Sequence, residues 1–242
     1  DMEDPNGSST DILADIQENV MPDLLAKYPS LSVSYEGQNR EAGKLVSSAS
    51  TVLPIILFLI YATIAFTFRS YSQPLLLMIM IPFSVIGVAW GHWIHDFPIN
   101  MLSALGIIAL VGIMVNDGLV LIGKYNGNLQ DGLKFKEAIY EAGKSRFRAI
   151  FLTSLTTIAG MAPLLLEKSR QAQFLKPMAI SISYGIAIAT LLTLFLLPLL
   201  LSITNSIKVG SKWLATGERV ERESVERTIK ELHEAEKNRD EY

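Results

Sequence analysis

The sequence predicts an all-α polytopic membrane bundle of five transmembrane helices, with a small α+β segment at its N-terminus. Three observations predict it. Half of the 242 residues are hydrophobic, and they fall in long blocks rather than being scattered. The charged residues are pushed to the two ends and to one internal stretch. The blocks are about 20 residues long, which at ~1.5 Å per residue matches the hydrocarbon thickness of a bilayer.

Residues 1–50 read as the end of something larger. In STDILADIQENVMPDLLAKYPS, Ile12, Ile16, Val20 and Leu24 recur at helical spacing, with Ser9 or Thr10 placed to cap the helix. Pro22 predicts a kink or an early end. LSVSYEG then alternates Leu31, Val33 and Tyr35, the pattern of a strand. One strand makes no sheet, so its partners are expected in another segment or chain. The apolar blocks follow at about 51–68, 74–94, 99–123, 149–166 and 177–203 and define a bundle over 51–205. Pro82 and Pro198 lie inside two of them, which membrane helices tolerate better than soluble ones. From 206 to 242 the chain is a charged tail with a thin apolar stripe at Val225, Ile229 and Leu232, read as a solvated helix or a frayed end.

Five crossings put the two ends on opposite sides. One side holds Arg69, a loop with Lys124, Lys134, Lys136, Lys144, Arg146 and Arg148, and then Lys208 and Lys212. The other holds Arg40, Lys44, Lys168, Arg170 and Lys176. The bias of nine against five makes the first side cytoplasmic, the tail with it, and the N-terminal segment external. The chain has no cysteine, and the net charge of −3 carries no nucleic-acid signal. No metal-ligand spacing, nucleophile elbow or phosphate loop occurs, and no cofactor is implied. His92 and His95 fall at the outer end of the second span, where an interfacial role is expected.

The third span carries Gly106, Ala109, Gly112 and Asn116 at steps of three, three and four, a helix face suited to close packing. Asp117 follows, about 100° further round, at the Gly106 edge of that face, with Gly118 beside it. A carboxyl group near the bilayer centre costs about 2.5–3.5 kcal/mol on insertion scales, so it is expected to face the bundle or a wet cavity. A group whose charge follows its surroundings is the minimum equipment for coupling protons to motion. The simpler alternative is a protonated Asp117 that bonds a neighbouring helix. The fourth span places Arg146, Ile150, Thr153, Thr157 and Gly160 on one face. Its hydroxyls can also be satisfied by their own i−4 carbonyls.

The order of these features resembles a known family. An R-S-Y-S-Q-P turn precedes a span with IPFSVIGV; LSALGIIALVGIMVNDGLVLI, EAIYEAGKSRFRAI and LTSLTTIAGMAPLLL follow. This resembles the C-terminal half of the resistance–nodulation–division (RND) efflux permeases of the hydrophobe/amphiphile type, over about residues 9–205. The resemblance implies transmembrane helices eight to twelve, preceded by the end of a periplasmic porter subdomain. It also implies a homotrimer in the bacterial inner membrane, completed by a missing N-terminal half. Drugs or other amphiphiles would leave in exchange for protons, with a periplasmic adaptor, an outer-membrane channel and membrane lipids as partners. In that family a relay joins two aspartates on helix four to a lysine on helix ten and an arginine and a threonine on helix eleven. The lysine position falls on Asn116, and Asp117 is the next residue. The arginine matches Arg146 and the threonine Thr153. Asn116 removes the expected cation, so either Asp117 shares the proton work or Arg146 alone supplies the positive partner. Alternatives are an RND-fold exporter of lipids or envelope molecules, and a non-transporting helical scaffold. An intramembrane aspartyl protease needs two facing aspartates, and only Asp117 lies deep in a span.

Overall fold

The structure is a computed structural model that describes residues 12, 14–28, 54–217 and 220–240. Among them every regular element is helical. The expected strand at 31–35 and the capping residues Ser9 and Thr10 lie outside the described residues. The helices are α1 (Met21–Lys27), α2 (Pro54–Phe68), α3 (Ser72–His95), α4 (Met101–Gln130), α5 (Phe135–Leu166), α6 (Arg170–Thr216) and α7 (Arg227–Asp240).

Four helices, not five, are long and apolar enough to cross a membrane among the described residues: α3, α4, α5 and α6. The first apolar block forms α2, which is too short. From Pro54 to Phe68 it extends about 22 Å, against ~30 Å of hydrocarbon. Arg69 ends it with φ 47, a left-handed turn into α3.

The expected loop between Lys124 and Arg148 is helix for most of its length. α4 runs on to Gln130 and α5 begins at Phe135, so four residues make the turn. The backbone hydrogen bonds of a helix do not stop where its apolar stretch stops. A small core holds this end together: Tyr125, Leu129, Phe135, Ala138 and Ala142 are buried. The Tyr125 and Phe135 rings meet edge to face at 6.1 Å, and Asn128 Nδ2 donates to the Ala138 carbonyl at 3.0 Å.

α6 is the central element, packed by α3, α4 and α5. It is continuous from Arg170 to Thr216 but widens into a π turn at Leu192–Leu196, where Leu197 N–H bonds Leu192 O. The next residue is Pro198, which has no N–H to offer the Leu194 carbonyl, so the ladder shifts register there. The same arrangement recurs before α1. Met21 N–H bonds Ile16 O across a π turn at Ile16–Val20, and Pro22 follows. The helix therefore runs through Pro22 rather than ending early. Its stripe of Ile12, Ile16, Val20 and Leu24 is exposed.

Part of the charged tail docks instead of fraying. Lys134, at the N-cap of α5, offers no side-chain acceptor; Phe135 N–H donates instead to Glu223 Oε1 at 2.5 Å. Glu226 is buried and accepts from Asn205 Nδ2 at 2.7 Å and Lys208 Nζ at 2.9 Å. Val225 is buried beside it, and Ile229 packs on the core. The stripe read from the sequence is thus a docking edge, held by two carboxylates. Glu226→Ala should lower stability by about 1–3 kcal/mol, since it removes the partner of the half-buried Lys208 ammonium and one of the two acceptors of the buried Asn205 amide. Glu231→Ala breaks only the more exposed Arg227 pair at 3.1 Å and should cost at most ~0.5 kcal/mol. Thermal unfolding of both variants in detergent measures the difference.

Candidate functional site

Close approach between helices positions the site. A Cβ built on Gly106 would stand 2.8 Å from the Met178 carbonyl and 2.8 Å from Ser181 Cβ, so α4 meets the α6 backbone there. Gly87 of α3 meets the Tyr184 carbonyl in the same way, and Gly185 of α6 receives the Leu110 side chain. Gly118, next to Asp117, receives Leu77 of α3 on one side and faces Leu197 of α6 on the other.

Asp117 therefore sits where α3, α4 and α6 converge, 7% exposed and about halfway along the 30-residue α4. Among the described residues it makes no hydrogen bond and no ion pair. The π turn of α6 packs on both α3 and α4, and its Thr193 is buried with no partner for Oγ1 among the described residues. Most buried hydroxyls are satisfied. Gly118, the neighbour of Asp117, faces Leu197, whose N–H closes the π turn, so the unpartnered carboxyl group lies close in sequence to a contact with one of the two proline-associated breaks in the α6 ladder, the other being at Pro177.

The other sequence-predicted residues are divided between two surfaces. On α4, Gly106 and Asp117 are buried, whereas Ala109, Gly112 and Asn116 face outward. A Cβ on Gly112 or on Gly160 would meet nothing within 4 Å. Within the described residues, then, the small-residue stripe packs only at Gly106. On α5, Arg146 is half-buried with Nε unpartnered among the described residues, while Thr153 is exposed and donates to the Ala149 carbonyl at 2.9 Å. No hydrogen bond or ion pair joins Asp117, Asn116, Arg146 and Thr153 to one another among the described residues. Only 11% of the apolar stretch of α5 is buried within the chain, against 44% for α3 and α4. Arg146, Thr153 and Asn116 thus lie toward an open side of the bundle.

Several polar contacts escaped the sequence reading. His92 is buried, not interfacial: Nε2 lies 3.0 Å from Ser181 Oγ and Nδ1 3.0 Å from the Phe97 carbonyl. His95 Nε2 lies 3.0 Å from the Tyr184 hydroxyl. Ser154 of α5 donates to the Ile150 carbonyl and accepts from Thr190 of α6 at 2.6 Å. Gln73 and Asn126 exchange two amide hydrogen bonds, at 2.8 and 3.1 Å. The side-chain partners joined across helices are 36 to 89 residues apart, and only polarity inside an apolar block hints at them. Among the described residues no group of three or more His, Asp or Glu could hold a metal ion.

Comparison with known proteins adds the following. The model of a family described as AcrB/AcrD/AcrF matches residues 4–205. The nickel-cobalt-cadmium resistance protein NccA of Alcaligenes xylosoxydans xylosoxydans is 28% identical over 170 residues, 70% of this chain and 16% of that protein. The multidrug resistance protein MdtC of Erwinia amylovora is 27% identical over 155 residues, 64% of this chain and 15% of that protein. A crystal structure of a heavy metal efflux pump superposes with a TM-score of 0.64 at 25% identity, covering 78% of this chain and 19% of that one. The chain thus spans about a sixth of the length of these relatives.

The two kinds of glycine separate experimentally. Gly106→Ala should destabilise by about 1–3 kcal/mol, because the methyl group meets backbone that cannot move alone. Gly112→Ala should be neutral or stabilising by up to ~1 kcal/mol, since alanine is the better helix former and the site is open. Unfolding of the chain in detergent, monitored by circular dichroism, checks both.

Proposed function

The chain belongs to the AcrB/AcrD/AcrF family of RND permeases, and on that premise we propose that it forms part of a proton-driven efflux permease in which Asp117 takes up and releases a proton. The observation that carries the reading is a buried carboxyl group without a partner among the described residues, midway along a membrane helix. Ionisable groups at such depth are costly and usually functional. Its surroundings can also change. The π turn of α6 supplies an uncommitted hydroxyl, and a rotation of α6 relative to α4 alters what the carboxyl group meets. Loss or gain of a proton would bias that packing, which is what coupling requires.

In this proposal the open side with Asn116, Arg146 and Thr153 is covered by the N-terminal half of the permease, which carries the remaining proton acceptors. Asn116 can serve either protonation state of a partner, since its amide both donates and accepts. The guanidinium of Arg146 favours ionisation of acids brought near it. The assembly would be a homotrimer in the bacterial inner membrane, with adaptor and outer-membrane channel. Residues 1–50 would belong to the periplasmic porter subdomain and 206–242 would lie in the cytoplasm; that requires an odd number of crossings, so α2 together with the chain before it would complete the fifth in the assembled permease. The cargo would be drugs or other amphiphiles, as the name of MdtC suggests. Metal cations are the second reading, favoured by the name of NccA and by the pump whose structure superposes.

The test uses a permease that carries this segment, with Asp117→Asn. Export driven by a pH gradient should fall at least about tenfold, equivalent to ~1.4 kcal/mol on the limiting barrier, with membrane insertion unchanged. Wild-type export together with wild-type proton flux would refute the coupling role. Parallel assays with a detergent and with Co²⁺ decide between the two cargoes.

A further inference from the structure

A cavity of about 1250 Å³ opens between α2, the C-terminal part of α6 and the docked tail. Its two walls differ in chemistry. The α2 wall is apolar, with Phe58, Ala62 and Phe66, and both phenylalanines are largely exposed. The opposite wall and the rim carry five cations, Arg69, Lys208, Lys212, Arg227 and Lys230, and no acidic residue among those described.

Two of the cations are engaged: Lys208 pairs with Glu226 at 2.9 Å and Arg227 with Glu231 at 3.1 Å. Arg69, Lys212 and Lys230 have no ion pair among the described residues. Three uncompensated positive charges therefore border one cavity. The start of α3 adds to them. Its N-cap residue Tyr71 makes no side-chain capping bond, and Ser70, Tyr71 and Ser72 line the same cavity. Uncapped N–H groups and the positive end of a helix favour an anion. Arg69 also adopts φ 47, where the backbone favours glycine, so a long cation occupies a position that it fits poorly by conformation.

We propose that this cavity binds an anionic phospholipid, its phosphodiester held by Arg69, Lys212 and Lys230 and its acyl chains lying along Phe58, Ala62 and Phe66. A free phosphate would satisfy the cations and leave the aromatic wall bare; a zwitterionic lipid offers the same phosphodiester but adds an ammonium group that the three cations repel. The height in the bilayer is suitable. Arg69 and Lys212 follow the apolar stretches of α2 and α6, at headgroup level, the docked tail brings Lys230 to the same cavity, and Tyr71 is exposed there as interfacial aromatics are. The bound lipid would bridge α2, which crosses only part of the bilayer by itself, to α6 and the tail. This site depends on the chain being membrane-embedded and is independent of proton coupling.

The test is native mass spectrometry of the purified chain with phosphatidylglycerol, phosphatidylethanolamine of identical acyl chains, and inorganic phosphate as probes. Phosphatidylglycerol should be retained about tenfold better than phosphatidylethanolamine, and millimolar phosphate should not displace it. Arg69→Gly combined with Lys212→Gln should abolish that preference. The glycine suits the local backbone, so an unchanged melting temperature separates lost binding from lost folding. Arg69→Lys with Lys212→Arg should restore the preference, and Lys136→Gln, exposed and away from the cavity, should leave it unchanged. Equal retention of the two lipids would overturn the proposal, as would displacement by phosphate or an equal loss in Lys136→Gln.

Discussion

Apolar side chains in a bilayer gain little by leaving lipid for one another, so this bundle depends on how closely α3 and α4 can approach α6. Glycines at the crossings permit that approach. Gly106 lies against the Met178 carbonyl, Gly87 against the Tyr184 carbonyl, and Gly185 takes in Leu110. At such short range, polar side chains find one another across the interfaces: His92 with Ser181, and Ser154 with Thr190. Where neighbours are this near, an unpaired polar group is conspicuous. Asp117 on α4 and Thr193 in the π turn both lack partners among the described residues.

The π turn links local chemistry to the possibility of movement. Pro198 removes one N–H, and the α6 ladder answers with an i→i+5 bond from Leu197 to Leu192. A helix with a widened turn has a second register available at modest cost, and Leu197, which closes the turn, faces Gly118 beside Asp117. Stiff packing above and below, with a looser turn between, suits a site that must exist in two states. The tail adds a fixed reference at one end, because Glu223 caps α5 and Glu226 ties the tail to α6.

Membrane class was legible in the sequence because insertion depends on composition averaged over about 20 residues, and four of the five blocks are membrane-length helices. Where helices end was not legible. Stretch 124–148 reads as a loop because it is charged, yet charge at a bilayer surface does not interrupt backbone hydrogen bonding. Asp117 stood out because a carboxylate in an apolar block is visible one residue at a time. Its surroundings did not, because Leu77 and Leu197, which pack at the adjacent Gly118, come from distant segments. The face of α4 was placed only in part. Spacing put Gly106, Ala109, Gly112 and Asn116 together, whereas burial divides them, since a 120° arc is wider than the line of contact with α6. The docked tail was hidden for a related reason, as Glu223 and Glu226 look like any other solvated charges until their partners are known.

The account stands on Asp117 being enclosed by protein at membrane depth. The chain has no cysteine, so a cysteine at position 117 would be its only thiol. Modification of Asp117→Cys in intact membranes by a membrane-impermeant maleimide, measured from each side and against the exposed position of Glu137→Cys, tests the claim directly. Enclosure predicts that position 137 reacts fully from one side while 117 stays unmodified from both. Equal rates at the two positions would place Asp117 in open water and contradict the account.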